Sequence, residues 1–240
     1  MSPITAQGRW YGKEKPFMSE RLIGILTDSF GKILWPGLTM TIPLTVISFS
    51  IGMVIAVACA LAQFAKIRFL TPIIRFYIWV IRGTPLLVQL FIIFYGLPNV
   101  GIVLDAFTSA VIVFSLSTGA YCAETMRAAL ESVPKGQMEA GYCVGMSYMQ
   151  IMRRIVLPQA FRTAFPPLSN SLISLVKDTS LAANITVVEM FMATQRIVAR
   201  TYEALALYIE VALVYLLFST VLEQLQRWGE KKLNAYGGQK

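Results

Sequence analysis

The sequence predicts an all-α membrane protein with about five transmembrane helices, a cytoplasmic loop carrying two short helices, and an N-terminal amphipathic helix. Three observations predict it. Hydrophobic residues make up 56% of the 240 and charged residues only 14%, against about a quarter charged in ordinary soluble domains. The charges gather between five apolar runs near the length of about 20 residues that crosses a hydrocarbon core. Lys and Arg are also shared unequally between the two sides those runs would separate.

Residues 1–18 are polar, punctuated by Pro3, Gly8, Gly12 and Pro16, and lack the basic-then-apolar layout of a cleaved signal peptide. Over 19–34, Leu22, Ile23, Leu26, Phe30, Ile33 and Leu34 recur at helical spacing opposite Glu20, Arg21, Asp28 and Lys32. That predicts an amphipathic helix, lying on lipid or packed against the bundle. The membrane domain, 35–227, follows. Its first span is read from Pro43 to Phe64, and Lys66 and Arg68 close it. Leu70 to Leu97 is the second crossing, interrupted by Gly83-Thr84-Pro85, with Arg75 and Arg82 toward the Lys66 end, where long side chains snorkel. Span three covers Ala106 to Ala128. Span four starts between Pro158 and Pro167 and reaches Lys177, span five covers Leu205 to Leu225, and a basic tail, 228–240, follows.

Five spans put the two ends on opposite sides. With the C-terminus inside, the cytoplasmic side holds fourteen of the 21 Lys and Arg residues and the outer side seven, five of them ahead of the first span. That selects a cell-membrane protein with its N-terminus outside and C-terminus in the cytoplasm. The net charge of +8 is therefore assigned to anionic headgroups and not to nucleic acid. There is no histidine, which removes His-based acid–base catalysis and the common zinc sites, and no metal site is expected. No G-x-x-x-x-G-K-[ST] stretch is present to cradle ATP. Cys59, Cys122 and Cys143 are scattered and read as small apolar packing.

The polar loop at about 131–158 is the segment around which the chain is organised. Lys135, Arg153 and Arg154 alternate with helix formers on either side of Gly145. This predicts two short helices bent at Gly145, where a residue without a β-carbon takes positive φ cheaply. Ala140, Gly141 and Gly145 are expected to give the first helix a smooth face that another protein's surface approaches closely. The run Glu139-Ala140-Gly141, three residues, Gly145, nine residues, Ile155-Val156-Leu157-Pro158 resembles the "EAA" loop of ABC-importer permeases. Gly141 stands where the usual pattern has Ala. Arg82-Gly83-Thr84-Pro85-Leu86, Tyr121-Cys122-Ala123-Glu124 with Arg127, and Leu175-Val176-Lys177-Asp178-Thr179-Ser180-Leu181-Ala182 extend the likeness from about Pro36 to Arg227. Together they are similar to the polar amino-acid importers, the histidine, glutamine, arginine and cystine permease group with a methionine-importer-like transmembrane fold, the cystine permeases nearest.

The resemblance implies a permease subunit that is not itself an enzyme. Its partners would be an ABC ATPase subunit, which holds ATP and Mg, a second permease copy (identical or a close paralogue), an extracytoplasmic amino-acid-binding protein, and membrane lipids. No cofactor would be bound by this chain. By position, Glu139, Ala140, Gly141 and Gly145 become the ATPase-coupling residues. For the translocation path, depth arguments combine with the likeness to give Gln89, Ser117, Thr118, Glu124, Asp178, Thr179 and Ser180.

Each of these carries two readings. Lys177-Asp178 ends a charge-free run from Thr163 to Val176, and charges at that depth pair, face the interior or line a pathway. Asp-Thr-Ser also favours side-chain hydrogen bonds that stop one helix and cap the next. A Lys177–Asp178 pair that only holds a helix break competes with substrate contact. Glu124 and Arg127, three apart, read first as a structural ion pair. Ser117, Thr118 and Gln89 either meet a polar ligand or serve helix packing. An ion-coupled secondary carrier working through Glu124, Asp178 or Glu210 is the alternative function, and it leaves the Glu139 loop without a purpose.

Overall fold

A computed structural model describes residues 20–235; the reading of 1–18 and the end of the tail lie outside the described residues. No strand occurs among them. Three helices are long and apolar enough to cross a membrane, and two bent helix pairs bring the number to five.

The first helix is longer than expected. The amphipathic stretch and span one form a single 45-residue helix, Glu20–Phe64, with no break at 34/35. Proline explains how. A π-turn at Gly37–Thr41 ends with the Ile42 N–H donating to the Gly37 carbonyl, immediately before Pro43. The same widening, Ile92–Gly96 and Met152–Val156, precedes Leu97-Pro98 and Leu157-Pro158. Proline lacks an N–H and its ring crowds the carbonyl four residues back; a turn wound to i+5 accommodates both. The N-terminal part of the helix packs on the bundle through buried Leu22, Ser29 and Ile33, while Ile23 and Phe30 stay exposed.

The second span departs most from expectation. Leu70–Gly83 and Leu86–Val100 meet at 104°, so there is no straight crossing from Leu70 to Leu97. Thr84 and Pro85 are extended at the corner, because a proline disfavours helical backbone in the residue before it. Leu70–Gly83 packs on the C-terminal half of span three, and near the middle of that span the Tyr77 hydroxyl donates to the Leu116 carbonyl at 2.6 Å. Leu86–Val100 packs on the other half, with Leu90 beside Val113 and Phe114.

Span three, Ala106–Glu131, is the centre of the bundle. Asp105 caps it by accepting from the Thr108 N–H at 3.0 Å. Ala110, Phe114, Ala120, Cys122 and Ala123 are wholly buried. Span one runs against it at a separation that only small residues allow. A β-carbon at Gly52 would sit 2.7 Å from Thr118 Cβ, and one at Gly119 2.8 Å from Ile55 Cγ2 and 2.9 Å from Tyr77 Oη. Gly119→Val is expected to push the helices apart and cost about 1–3 kcal/mol of stability. The measurement is the thermal unfolding midpoint in detergent, with Gly24→Val, which meets nothing within 4 Å, as the unaffected control.

Span four does not begin at Pro158 or Pro167. Tyr148–Ile185 is one helix running through both, bent by 52° into Met190–Thr201. The second helix of the polar loop is thus continuous with the membrane span. Span five is Ala204–Ala235.

Candidate functional site

A cavity of about 580 Å³ opens where the second span breaks, with walls from spans two, three and four. It brings together four of the residues singled out from the sequence: Gln89, Ser117, Thr118 and Asp178. Gln89 is built into the corner. Its Nε2 donates to the Ile81 carbonyl at 2.8 Å, the Thr84 carbonyl at 3.1 Å and Thr84 Oγ1 at 2.9 Å, the groups that the extended Thr84-Pro85 step releases from helical pairing. Its Oε1 is buried without a partner, a free acceptor at the cavity wall. Gln89→Leu removes the donor from the corner carbonyls, and an unmade bond to a buried polar group costs about 1–3 kcal/mol. A lowered unfolding midpoint of that size is expected, and an unchanged midpoint would contradict the role given to this amide.

Asp178 is the last residue of the α-helical part of span four, before the tighter turns Thr179–Ile185. It is half-buried and lines the cavity. Among the described residues it forms no ion pair with Lys177, so the competing reading of this pair loses its contact. Thr179 and Ser180 do not line the cavity. Thr179 Oγ1 donates to the Val176 carbonyl at 2.6 Å and Ser180 Oγ to the Lys177 carbonyl at 2.8 Å; both hydroxyls satisfy carbonyls that the helix end leaves open.

Glu124 is also outside the cavity. Arg127 Nη2 holds it at 3.0 Å and Arg82 Nη1 at 3.8 Å, and Arg127 Nη1 reaches Glu131 at 2.7 Å. Arg82 lies 5.2 Å from the centre of the Tyr121 ring, and Tyr121 is a cavity wall. The ion-pair reading of Glu124 and Arg127 therefore holds, enlarged into a network that braces one wall. Glu210, buried, accepts from Ser29 Oγ at 2.5 Å. Two of the three acids an ion-coupled carrier would draw on are committed to such contacts.

Asn170, Ser171 and Ser174 were missed and share the cavity with Asp178. The signal was present: 170, 174 and 178 are polar at four-residue spacing along an otherwise apolar span, which places them on one helix face. Glu189 is a further buried acid. It is fully buried and caps Met190–Thr201 by accepting from the Phe191 and Met192 N–H groups at 2.8 and 2.7 Å, and from the Tyr215 hydroxyl at 2.7 Å. It fixes the 52° bend.

The polar loop forms the expected pair of helices. Lys135–Cys143 ends in a Schellman turn, with Met146 N–H donating to Gly141 O at 3.0 Å, Gly145 N–H to Tyr142 O at 2.9 Å, and Gly145 at φ +78°. Ser147 and Gln150 form a capping box that opens Tyr148–Ile151. The expected smooth outer face needs correction at Gly141. That residue is buried, and a β-carbon there would lie 2.7 Å from Ile151 Cγ1; its smallness seats the first helix on the second. Glu139, Ala140 and Gly145 are exposed, alongside exposed Tyr142, Val144, Tyr148 and Met149. Large apolar side chains thus gather in the open on an otherwise polar hairpin.

Residues 51–235 match the family model described as binding-protein-dependent transport system inner membrane component. Over 213 residues the chain is 50% identical to the L-cystine transport system permease protein TcyB of Bacillus subtilis (strain 168), covering 88% of this chain and 91% of that protein. Its fold matches a chain in the crystal structure of an amino acid ABC transporter with TM-score 0.82 and 31% identity, over 90% of this chain and all of that one. The inward-facing MetNI methionine ABC transporter shares the fold at TM-score 0.64 and 20% identity, over 90% and 99% of the two chains.

Proposed function

The chain belongs to the family of binding-protein-dependent transport system inner membrane components, and from that premise we propose that it passes a polar amino acid, cystine foremost, through the cavity at the broken second span. The observation that carries the reading is Asp178, a carboxylate with no ion pair among the described residues, in the wall of a cavity of about 580 Å³ that also carries Gln89, Ser117 and Thr118. A carboxylate in that position accepts charge-assisted hydrogen bonds from an ammonium group. The hydroxyls of Ser117 and Thr118 supply donors for the carboxylate of the same zwitterion, and the Gln89 acceptor is a further contact for its ammonium. The likeness to a cystine permease supports cystine among polar amino acids.

Energy enters at the hairpin. Its exposed surface around Glu139, Ala140 and Gly145 docks an ABC ATPase subunit, which holds ATP and Mg; this chain performs no hydrolysis. Because Tyr148–Ile185 is one helix, a shift of the hairpin reaches Asp178 along about 45 Å of continuous backbone at 1.5 Å per residue. Nucleotide binding on the partner then selects between inward and outward openings of the bundle. A second permease copy, an extracytoplasmic binding protein and the surrounding lipid complete the assembly. The excess of basic residues beside the hairpin supports an orientation with the N-terminus outside and the C-terminus in the cytoplasm.

The test is uptake of labelled cystine by vesicles carrying the chain with its ATPase and loaded receptor. Uptake that requires ATP and both partners is expected. Uptake by the chain alone under an ion gradient would overturn the proposal in favour of a secondary carrier.

A further inference from the structure

A second cavity, about 620 Å³, lies between the end of span one, Leu70–Gly83 and the end of span three. Its charge is strongly one-sided. Lys66, Arg68, Arg75 and Arg127 line it against Glu131 alone. Arg127 is committed to Glu124 and Glu131. Lys66, Arg68 and Arg75 form no ion pair among the described residues.

An independent feature points the same way. Gln63 lines this cavity, is only 8% exposed, and its Nε2 is sealed from solvent with no acceptor. A buried amide donor left unmade is costly, and three cations beside it with no ion pair among the described residues call for a ligand rich in acceptors and negative charge. Lys66 adds a backbone observation. It ends span one at φ +52°, with its N–H on Gln63 O at 3.0 Å and Ile67 N–H on Ala62 O at 3.2 Å, the position of a helix-ending turn that glycine usually takes. A lysine there bears strain of about 1 kcal/mol or more, and its side chain is on the rim of the cavity.

The source of the acceptor is set by what adjoins the cavity. Leu70–Gly83 carries the basic and small residues Thr71, Pro72 and Arg75 toward the cavity. Its remaining surface exposes Ile73, Phe76 and Trp79, with Phe69 just ahead of it, 64% or more exposed in each case. Apolar side chains at that spacing beside a cationic pocket match a molecule with acyl chains and an anionic head. We propose that this cavity binds the phosphate of an anionic membrane lipid, with Lys66, Arg68 and Arg75 neutralising it and the Gln63 amide donating to one of its oxygens. The proposal stands independently of the amino-acid cavity.

The test uses the full chain purified from bilayers of phosphatidylcholine doped with phosphatidylglycerol, with retained lipid counted by native mass spectrometry. Preferential retention of phosphatidylglycerol is expected, falling about fivefold for each basic residue removed in Arg68→Gln, Arg75→Gln and Lys66→Gly. Lys66→Gly relieves the backbone, so its unfolding midpoint rises while lipid retention falls; this variant keeps the test meaningful if the arginine variants fold poorly. Equal retention of the two lipids, or retention unchanged in Lys66→Gly, would overturn the proposal. Displacement of the lipid by millimolar inorganic phosphate would reassign the site to a free anion. Loss of ATPase association in Arg75→Gln with lipid retention intact would give the groove to the ATPase instead.

Discussion

Gly141→Val is expected to lower ATP-driven uptake by about tenfold or more while the chain still inserts in the membrane. The argument is steric. Ile151 is wholly buried, and its Cγ1 and Cδ1 would lie 2.7 and 3.0 Å from a β-carbon at 141. A buried branched side chain gives little, so Lys135–Cys143 must lift off Tyr148–Ile151. Overpacking of this kind costs about 1–3 kcal/mol, and 1.4 kcal/mol is already a factor of ten in an equilibrium. The lifted helix no longer presents Glu139 and Ala140 in register with the helix that enters the membrane. ATPase co-purification and uptake are measured together, and Gly141→Val with Ile151→Ala should recover both by vacating the contested space. Full uptake by the single variant would show that the hairpin does not transmit the stroke through this contact.

Asp178→Asn is expected to lower uptake by roughly 10- to 150-fold, the range corresponding to a hydrogen bond to a charged group worth about 1.5–3 kcal/mol. The unfolding midpoint should not fall, because among the described residues Asp178 holds no ion pair that the amide would break. Lys177→Gln is the companion. Lys177 is exposed, so its loss should leave uptake near normal. Equal losses from both variants would mean that the two side chains act as a pair at the helix end, and the substrate contact would be wrong.

The elements were legible in the sequence; their rotation was not. Hydropathy located the segments that form the three long helices, the two bent pairs and the hairpin, because length and charge alone decide whether a segment enters lipid. Gly145 and Ser147 announced their turn because positive φ and capping are local chemistry. What failed was the question of which side faces inward. In a bundle whose lipid face and core face are both apolar, periodicity carries little contrast, so Gly141 was turned outward and Asn170, Ser171 and Ser174 were passed over. Thr179 and Ser180 were placed in the path from depth, yet depth does not say whether a hydroxyl looks into a cavity or back at its own helix. The corner at Thr84-Pro85 was read as an interruption; its 104° angle depends on Gln89, eight residues from the Ile81 carbonyl it holds, a link that no local rule supplies.

The helix Glu20–Phe64 spans about 67 Å at 1.5 Å per residue, far more than the hydrocarbon core requires. One end packs through Ile33 against Met190, Val211 and Val214, and the other reaches the basic residues beside span three. Pivoted where Gly52 bears on Thr118, nearly three quarters of the way along, such a beam converts a tilt of a few degrees into a shift of several ångströms at Glu20. Whatever displaces that end therefore works, as a lever does, against the load at the opposite one.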